Sequence, residues 1–166
     1  MAIISTNHAA HFSLKAASRR ARANVINVQT EQAKSFYPKK LQKKITVIEN
    51  PLDVEHLQRQ VLETPKRDKI VLSMGRFENQ KDFETLIIAF AKIAKDVPDW
   101  IVNIFGHGDN RQRLQELIDS KGLHDRVILK GRTETPFYEM CRSSVFVLSS
   151  FYEGFTSISS MLRLEK

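Results

Sequence analysis

From residue 69 onward the chain alternates between short apolar runs and longer segments of helical period. The runs KIVLSMG, WIVNIFG, RVILKG and SVFVLSS are continuously hydrophobic rather than alternating, as strands of a parallel sheet covered on both faces require. After the first run, Leu86, Phe90, Ile93 and Val97 recur at spacings of 4, 3 and 4 and predict one apolar stripe on a helix that Asp82 caps. Leu114, Leu117 and Ile118 predict a second helix, with Gly122 as its left-handed stop, and Pro136 suits the first turn of a third. The order of elements is that of βαβ units.

The rhythm before residue 69 is weaker. Residues 2–5 read as a strand end, 12–23 as a basic helix, NVINVQT as a short strand and TEQAKSFY as a helix capped by Thr30. ITVIENP alternates into a turn at Asn50-Pro51. DVEHLQRQVLETPKRD, 53–68, is polar and contains a proline, which puts a linker at 63–68 and divides the chain into 1–62 and 63–166.

Composition narrows the class. The chain has 166 residues, 42% hydrophobic and 27% charged, enough to bury most of one core and unlike a disordered chain. The net charge of +7 lies wholly before residue 70, with 13 Lys or Arg against 6 Asp or Glu up to residue 69. Its densest piece, KKLQKK at 39–44, can attract phosphates of nucleic acid or anionic lipid, although a solvated loop before a strand is the preferred reading. Neither interleaved aromatics nor zinc-type Cys/His spacing accompanies these lysines, so no nucleic-acid partner is expected.

The lone Cys141 has no internal partner and reads as a buried thiol in a reducing compartment, which favours the cytoplasm. No apolar run reaches 18 residues, and the first residues lack the core of a secretory signal. Residues 1–30 hold Lys15, Arg19, Arg20 and Arg22 without Asp or Glu, as a mitochondrial transit peptide does, but AII and NVINVQ read instead as buried strands. His8 and His11 have metal-ligand spacing on a helix without a third ligand, so no metal is expected.

Right-handed βαβ connections bring the four strand-to-helix loops, GRFENQKD, GHGDNR, GRTETP and SFYEGFTS, to one edge of the sheet, where open α/β sheets bind ligands. Arg76 and Lys81 stand just before a helix, where two cations and free amides can hold a diphosphate. Gly106-His107-Gly108 lets the backbone pass close to a ligand. It is not the GxGxxG fingerprint, since Arg111 takes the last glycine position. Glu153 before Gly154 either accepts from ligand hydroxyls or caps the next helix.

These loops carry a resemblance. KIVLSMGRFENQKDFETLIIAFAKI, WIVNIFGHGDNRQRLQELI, RVILKGRTETPFYEMCRSSVFVLSS and YEGF resemble the donor-sugar domain of the retaining, GT-B-fold glycosyltransferases called group 1 or family 4. VINVQTEQAKSFYPKKLQKKITVIENPL is similar to that family's passage out of its acceptor domain, with Glu49 where proline is usual. The resemblance implies a Rossmann-like parallel sheet preceded by part of the acceptor domain. It implies transfer of a sugar from a nucleotide-sugar to a glycan or lipid-linked acceptor, with retention and without a metal or other cofactor.

On this resemblance Arg76 and Lys81 match the diphosphate pair, and Glu153 matches the first glutamate of a Glu-x7-Glu motif that touches sugar hydroxyls. Gly75, Gly106, His107 and Gly108 line the donor, Lys130, Gly131 and Arg132 lie toward the base, and the amides of Gly154, Phe155 and Thr156 meet phosphate or sugar. Two departures stand out: the second glutamate is Met161, and the family's following strand and helix and most of its acceptor domain have no counterpart, as in a chain truncated at both ends. The expectation is a glycosyltransferase fragment acting in the cytoplasm, or peripherally at the inner membrane face through its basic N-terminal part. The alternative is a non-catalytic nucleotide- or protein-binding module of the same fold.

Overall fold

A computed structural model describes residues 4–7, 23–49, 51–61 and 65–151. His8, His11, Asn50 and all of the expected 12–23 helix except Ala23 lie outside the described residues. The described chain forms two compact units, one up to Leu52 and one from Asp53.

In the first unit β1 (Ile4–Asn7), β2 (Val25–Val28) and β3 (Ile45–Val47) form a parallel sheet in the order β1-β2-β3. Between β2 and β3 lie α1 (Glu31–Ser35) and α2 (Lys39–Gln42). Thr30 caps α1 as expected, its hydroxyl oxygen accepting from the Ala33 amide at 3.0 Å. Ile26, Val28, Tyr37 and Ile45 build a small core on which Leu41 packs. That contact explains why the first lysines of KKLQKK wind into α2 instead of forming a loop: Pro38 sets the entry and Leu41 supplies the anchor. Lys39, Lys40 and Lys43 remain exposed.

The second unit opens with α3 (Val54–Arg59), in the polar stretch before the expected linker. Asp53 caps it by accepting from the His56 amide at 2.9 Å, and Leu57 is its single buried residue. Just beyond it, the Gln60 Oε1 accepts from the Phe137 amide at 3.1 Å and serves as a remote cap for α6 (Pro136–Arg142).

The main sheet comprises β4 (Asp68–Met74), β5 (Ile101–Phe105), β6 (Val127–Lys130) and β7 (Ser143–Phe146), all parallel, in the order β6-β5-β4-β7. The four expected strands are thus present, β7 shorter than its apolar run. Beyond Phe146 the chain still follows β4: the Val147 amide donates to the Leu72 carbonyl at 2.9 Å, and the Ser73 hydroxyl to the Val147 carbonyl at 2.7 Å.

One face carries α4 (Phe83–Ile93) and α5 (Arg111–Ser120) on Val102, Ile104, Val127 and Leu129. The stripe of α4 is not quite the expected one. Ile93 is 51% exposed, whereas Phe83, Ile87 and Ala94 face the sheet with Leu86 and Phe90. Four residues on from Phe90 return to the buried side of a 3.6-residue helix, and three fall to its flank. Gly122 ends α5 at φ 65° as predicted. Ile70, Leu72 and Met74 point to the other face of the sheet, where α6 packs on β4 and β7, burying Phe137, Met140 and the free Cys141.

Candidate functional site

The strand order reverses at β4, with β5 and β6 to one side and β7 to the other. In a parallel sheet this opens a crevice at the C-terminal ends of the central strands, flanked here by the loops after β4 and β7.

Backbone hydrogen bonds stitch the loops together past the ends of the strands. The Gly75 amide donates to the Phe105 carbonyl at 3.0 Å and the Gly106 amide to the Gly131 carbonyl at 3.1 Å. Phe77 then donates to the His107 carbonyl at 2.7 Å and accepts from the Asn110 amide at 3.1 Å. Seemingly a loop residue in the sequence, Phe77 is fully buried, edge-on to Phe83 at 5.7 Å and under the Arg111 guanidinium at 5.9 Å. Arg111, which seemed only to break a glycine fingerprint, donates to the Leu129 carbonyl at 2.9 Å and so holds the end of β6.

The close approach that the second loop's glycines permit is to the first loop. A Cβ on Gly106 would lie 1.8 Å from the Gly75 carbonyl oxygen, and one on Gly108 would lie 2.7 Å from that of Phe77. Gly108 also has φ 147°, which side chains disfavour.

Gly75 has a second role: a Cβ there would come within 3.1 Å of Lys81 Cδ, so the lysine stem lies along the bare glycine. Asp82 follows in the left-handed region at φ 45°, a conformation an aspartate tolerates better than most residues. Its carboxylate accepts from the Thr85 amide at 3.3 Å. That amide at the start of α4 is therefore committed to the cap. The loop after β7 returns to the same turn, where Ser149 donates to the Lys81 carbonyl at 2.8 Å and the Phe151 amide to the Gln80 carbonyl at 3.0 Å.

Arg76 is exposed and paired with Glu78, Nη1 to Oε1, at 2.8 Å. Arg132 meets His107 across the second and third loops, its Nε 3.1 Å from Nδ1 and its Nη2 2.7 Å from Nε2. A neutral imidazole has one acceptor nitrogen, so the tautomer decides which contact is the hydrogen bond. Lys130 and Gly131 lie exposed beside them. Arg76 and Lys81 thus lie on the first loop, and His107 and Arg132 span the second and third, along one rim of stitched loops. Glu153, Gly154, Phe155, Thr156 and Met161 lie outside the described residues.

A cleft of about 220 Å³ opens beside this rim between the starts of α4 and α5. Neither Arg76 nor Lys81 lines it, and several of its polar groups are already paired: Asn110 donates to Asn79 at 2.8 Å, and Arg113 binds Glu84 at 2.9 Å. Among the described residues no group of three or more His, Cys, Asp or Glu is arranged to hold a metal ion, and no helix is long and apolar enough to cross a membrane.

Residues 54–158 match the family model described as "Glycosyl transferases group 1". The chain is 30% identical over 143 residues to an uncharacterized glycosyltransferase of Methanocaldococcus jannaschii, covering 80% of this chain and 35% of that protein. It is 31% identical over 117 residues to the N-acetylgalactosamine-N,N'-diacetylbacillosaminyl-diphospho-undecaprenol 4-alpha-N-acetylgalactosaminyltransferase of Campylobacter jejuni, covering 70% and 31%. The chain spans about a third of the length of these relatives. Among solved structures it resembles HepE of Anabaena in complex with UDP-glucose, with a TM-score of 0.77 at 18% identity, over 98% of this chain and 51% of that one. The pneumococcal O-GlcNAc transferase GtfA, in complex with UDP and GlcNAc, gives 0.76 at 18% identity, over 96% and 35%. At such identities the likeness establishes the fold, the α/β architecture with a parallel sheet found in GT-B glycosyltransferases.

Proposed function

The chain belongs to the Glycosyl transferases group 1 family, and from that premise we propose that it supplies the nucleotide-sugar site of an enzyme that transfers the sugar to an acceptor with retention at the anomeric carbon. The bond from the anomeric carbon to the diphosphate oxygen breaks, a bond to an acceptor oxygen forms, and the acceptor's hydroxyl proton is released. Negative charge grows on the leaving diphosphate, and preorganised cations stabilise it without a metal. Arg76 and Lys81 take that role. Gly75, Gly106, His107 and Gly108 line the donor, and Lys130, Gly131 and Arg132 lie toward the base. Glu153 receives sugar hydroxyls, and the amides of Gly154, Phe155 and Thr156 meet phosphate or sugar.

The observation that carries this reading is that Arg76 and Lys81 share the loop after β4, where the strand order reverses, with the Lys81 stem laid along Gly75. Calorimetric titration of the full chain with UDP-, GDP- and ADP-sugars in the presence of EDTA tests it. We expect one donor to give heat that EDTA leaves intact and Lys81→Ala abolishes. A folded chain that gives no heat with any of the three overturns the reading.

For the acceptor we propose a lipid-linked glycan, met on the cytoplasmic side at an anionic membrane surface. Supporting it are the exposed Lys39, Lys40 and Lys43 beside Phe36, itself 48% exposed, and the undecaprenol-linked substrate in one relative's name. Cosedimentation with vesicles containing phosphatidylglycerol, lost on replacing the three lysines by glutamine, is the expected result. Equal binding by the triple variant removes this part of the proposal.

A further inference from the structure

We propose that Glu78 is a built-in competitor for the diphosphate, holding Arg76 in an ion pair that the ligand has to replace. This rests on the reading of Arg76 as a diphosphate ligand, and it concerns a residue which that reading leaves without a role.

The backbone makes the pairing more than a chance meeting of surface side chains. The Glu78 amide donates to the Arg76 carbonyl at 2.7 Å, closing a three-residue turn around Phe77. Phe77 is pinned by the His107 carbonyl, the Asn110 amide and its buried ring. With Phe77 directed into the core, Arg76 and Glu78 project outward together, and their charged groups meet at 2.8 Å.

The strength of the pair suits a contact that is exchanged. Both side chains are well exposed, 62% and 44%, and an ion pair so placed changes an equilibrium by no more than about fivefold. A diphosphate brings several acceptor oxygens to the guanidinium fork and also engages Lys81, so it displaces a single carboxylate at modest cost. When the nucleoside diphosphate departs, Glu78 recovers its partner, which weakens retention of the product. Glu78 is thus a positioning residue: it touches Arg76, not the ligand.

The test is a double-mutant cycle on the full chain, titrated in turn with UDP, GDP and ADP. Arg76→Gln is expected to weaken the tightest of the three by about tenfold or more, as loss of a charged hydrogen bond does. Glu78→Gln and Glu78→Ala are each expected to tighten it about two- to fivefold, with matching melting temperatures. Glu78→Asp keeps a carboxylate and is expected to stay near the parent. The tightening should vanish in an Arg76→Gln background. If Arg76→Gln weakens binding while both neutral variants at 78 leave it unchanged or weaker, this inference fails and the diphosphate site stands. If none of the three nucleotides binds, or Arg76→Gln has no effect on their binding, the reading beneath it fails, and the inference goes with it.

Discussion

The two ends of the four-stranded sheet are held together by different chemistry. At the end where the strands begin, side chains do the joining. Arg126 donates to the carbonyls of Trp100 and Val97 at 2.7 Å each, reaches that of Ala94 at 3.5 Å, and lies 5.5 Å over the Phe90 ring. Arg142 meets Asp68 at 2.6 Å and Lys69 meets Asp99 at 2.9 Å. Where the strands finish, backbone amides and carbonyls join loop to loop alongside side-chain links from Ser149, Asn110 and Arg132, with glycines where a Cβ would intrude, and Arg111 binds strand carbonyls there. The contrast has a functional consequence. A guanidinium committed to three carbonyls has few donors left for a ligand, whereas at the other edge Arg76 and Arg132 each meet one exposed side chain, Glu78 and His107, instead of carbonyls.

This contrast can be broken most severely at Phe77, whose ring supports the stitched loops from below. Phe77→Ala should cost about 4 kcal/mol, the range for a buried aromatic cut to alanine. Urea unfolding followed by the fluorescence of Trp100, the single tryptophan, reads it. Gly106→Ala comes next at about 3 kcal/mol, because the atom it meets is backbone and has little room to yield. At the opposite end Arg126→Ala should cost about 2 kcal/mol through its carbonyl bonds. Arg126→Lys should recover only part of this, since an ammonium does not reproduce the guanidinium fork. Equal losses from glycine substitutions at both ends of the sheet would sink the comparison.

The sequence discloses the end built by hydrophobic pattern better than the end built by loops. Four continuous apolar runs, the caps Thr30 and Asp82, the stop at Gly122 and the start at Pro136 are all local signals, and the structure carries each of them. Helix α3 was hidden because one buried residue, Leu57, leaves no periodicity to detect. Phe77 was hidden because its segment read as a ligand-binding loop, although a phenylalanine in such a loop was a usable hint. The partners of Arg111 and Arg126 are backbone carbonyls on neighbouring strands and loops, and composition and spacing say nothing about those. The position of the loop that holds Arg76 and Lys81 was legible because the βαβ order dictates it.

A sharper form of the comparison separates binding from stability at the edge where the strands finish. Arg76→Gln removes a pair that is exposed on both sides, so it should shift folding by less than about 0.5 kcal/mol. The same change should weaken nucleotide binding clearly. Matching urea midpoints for parent and variant, alongside a large calorimetric difference, would set the two ends of the sheet apart as site and scaffold. A variant that loses both equally would make Arg76 a structural residue like Arg126.

The smallest effect belongs to the scaffold end and depends on pH. The Lys69 ammonium holds the Asp99 carboxyl below its ordinary value, first through the 2.9 Å hydrogen bond and then through its charge. A carboxyl that binds its proton more weakly in the folded state adds stability above its unfolded value, about 4, and loses that contribution as pH falls through the lower folded value. Asp99→Asn should therefore be slightly less stable than the parent near neutrality, and the difference should close as the pH is lowered well below about 4. Both side chains are largely exposed, so added salt should shrink the difference at every pH. Arg142 offers the contrasting case: its hydrogen bond to Asp68 raises an already basic guanidinium, which stays charged across the accessible range. Its own titration therefore adds nothing to this acid limb, and a gap between parent and Asp99→Asn that persisted unchanged into acid would show that Asp99 acts through packing rather than charge.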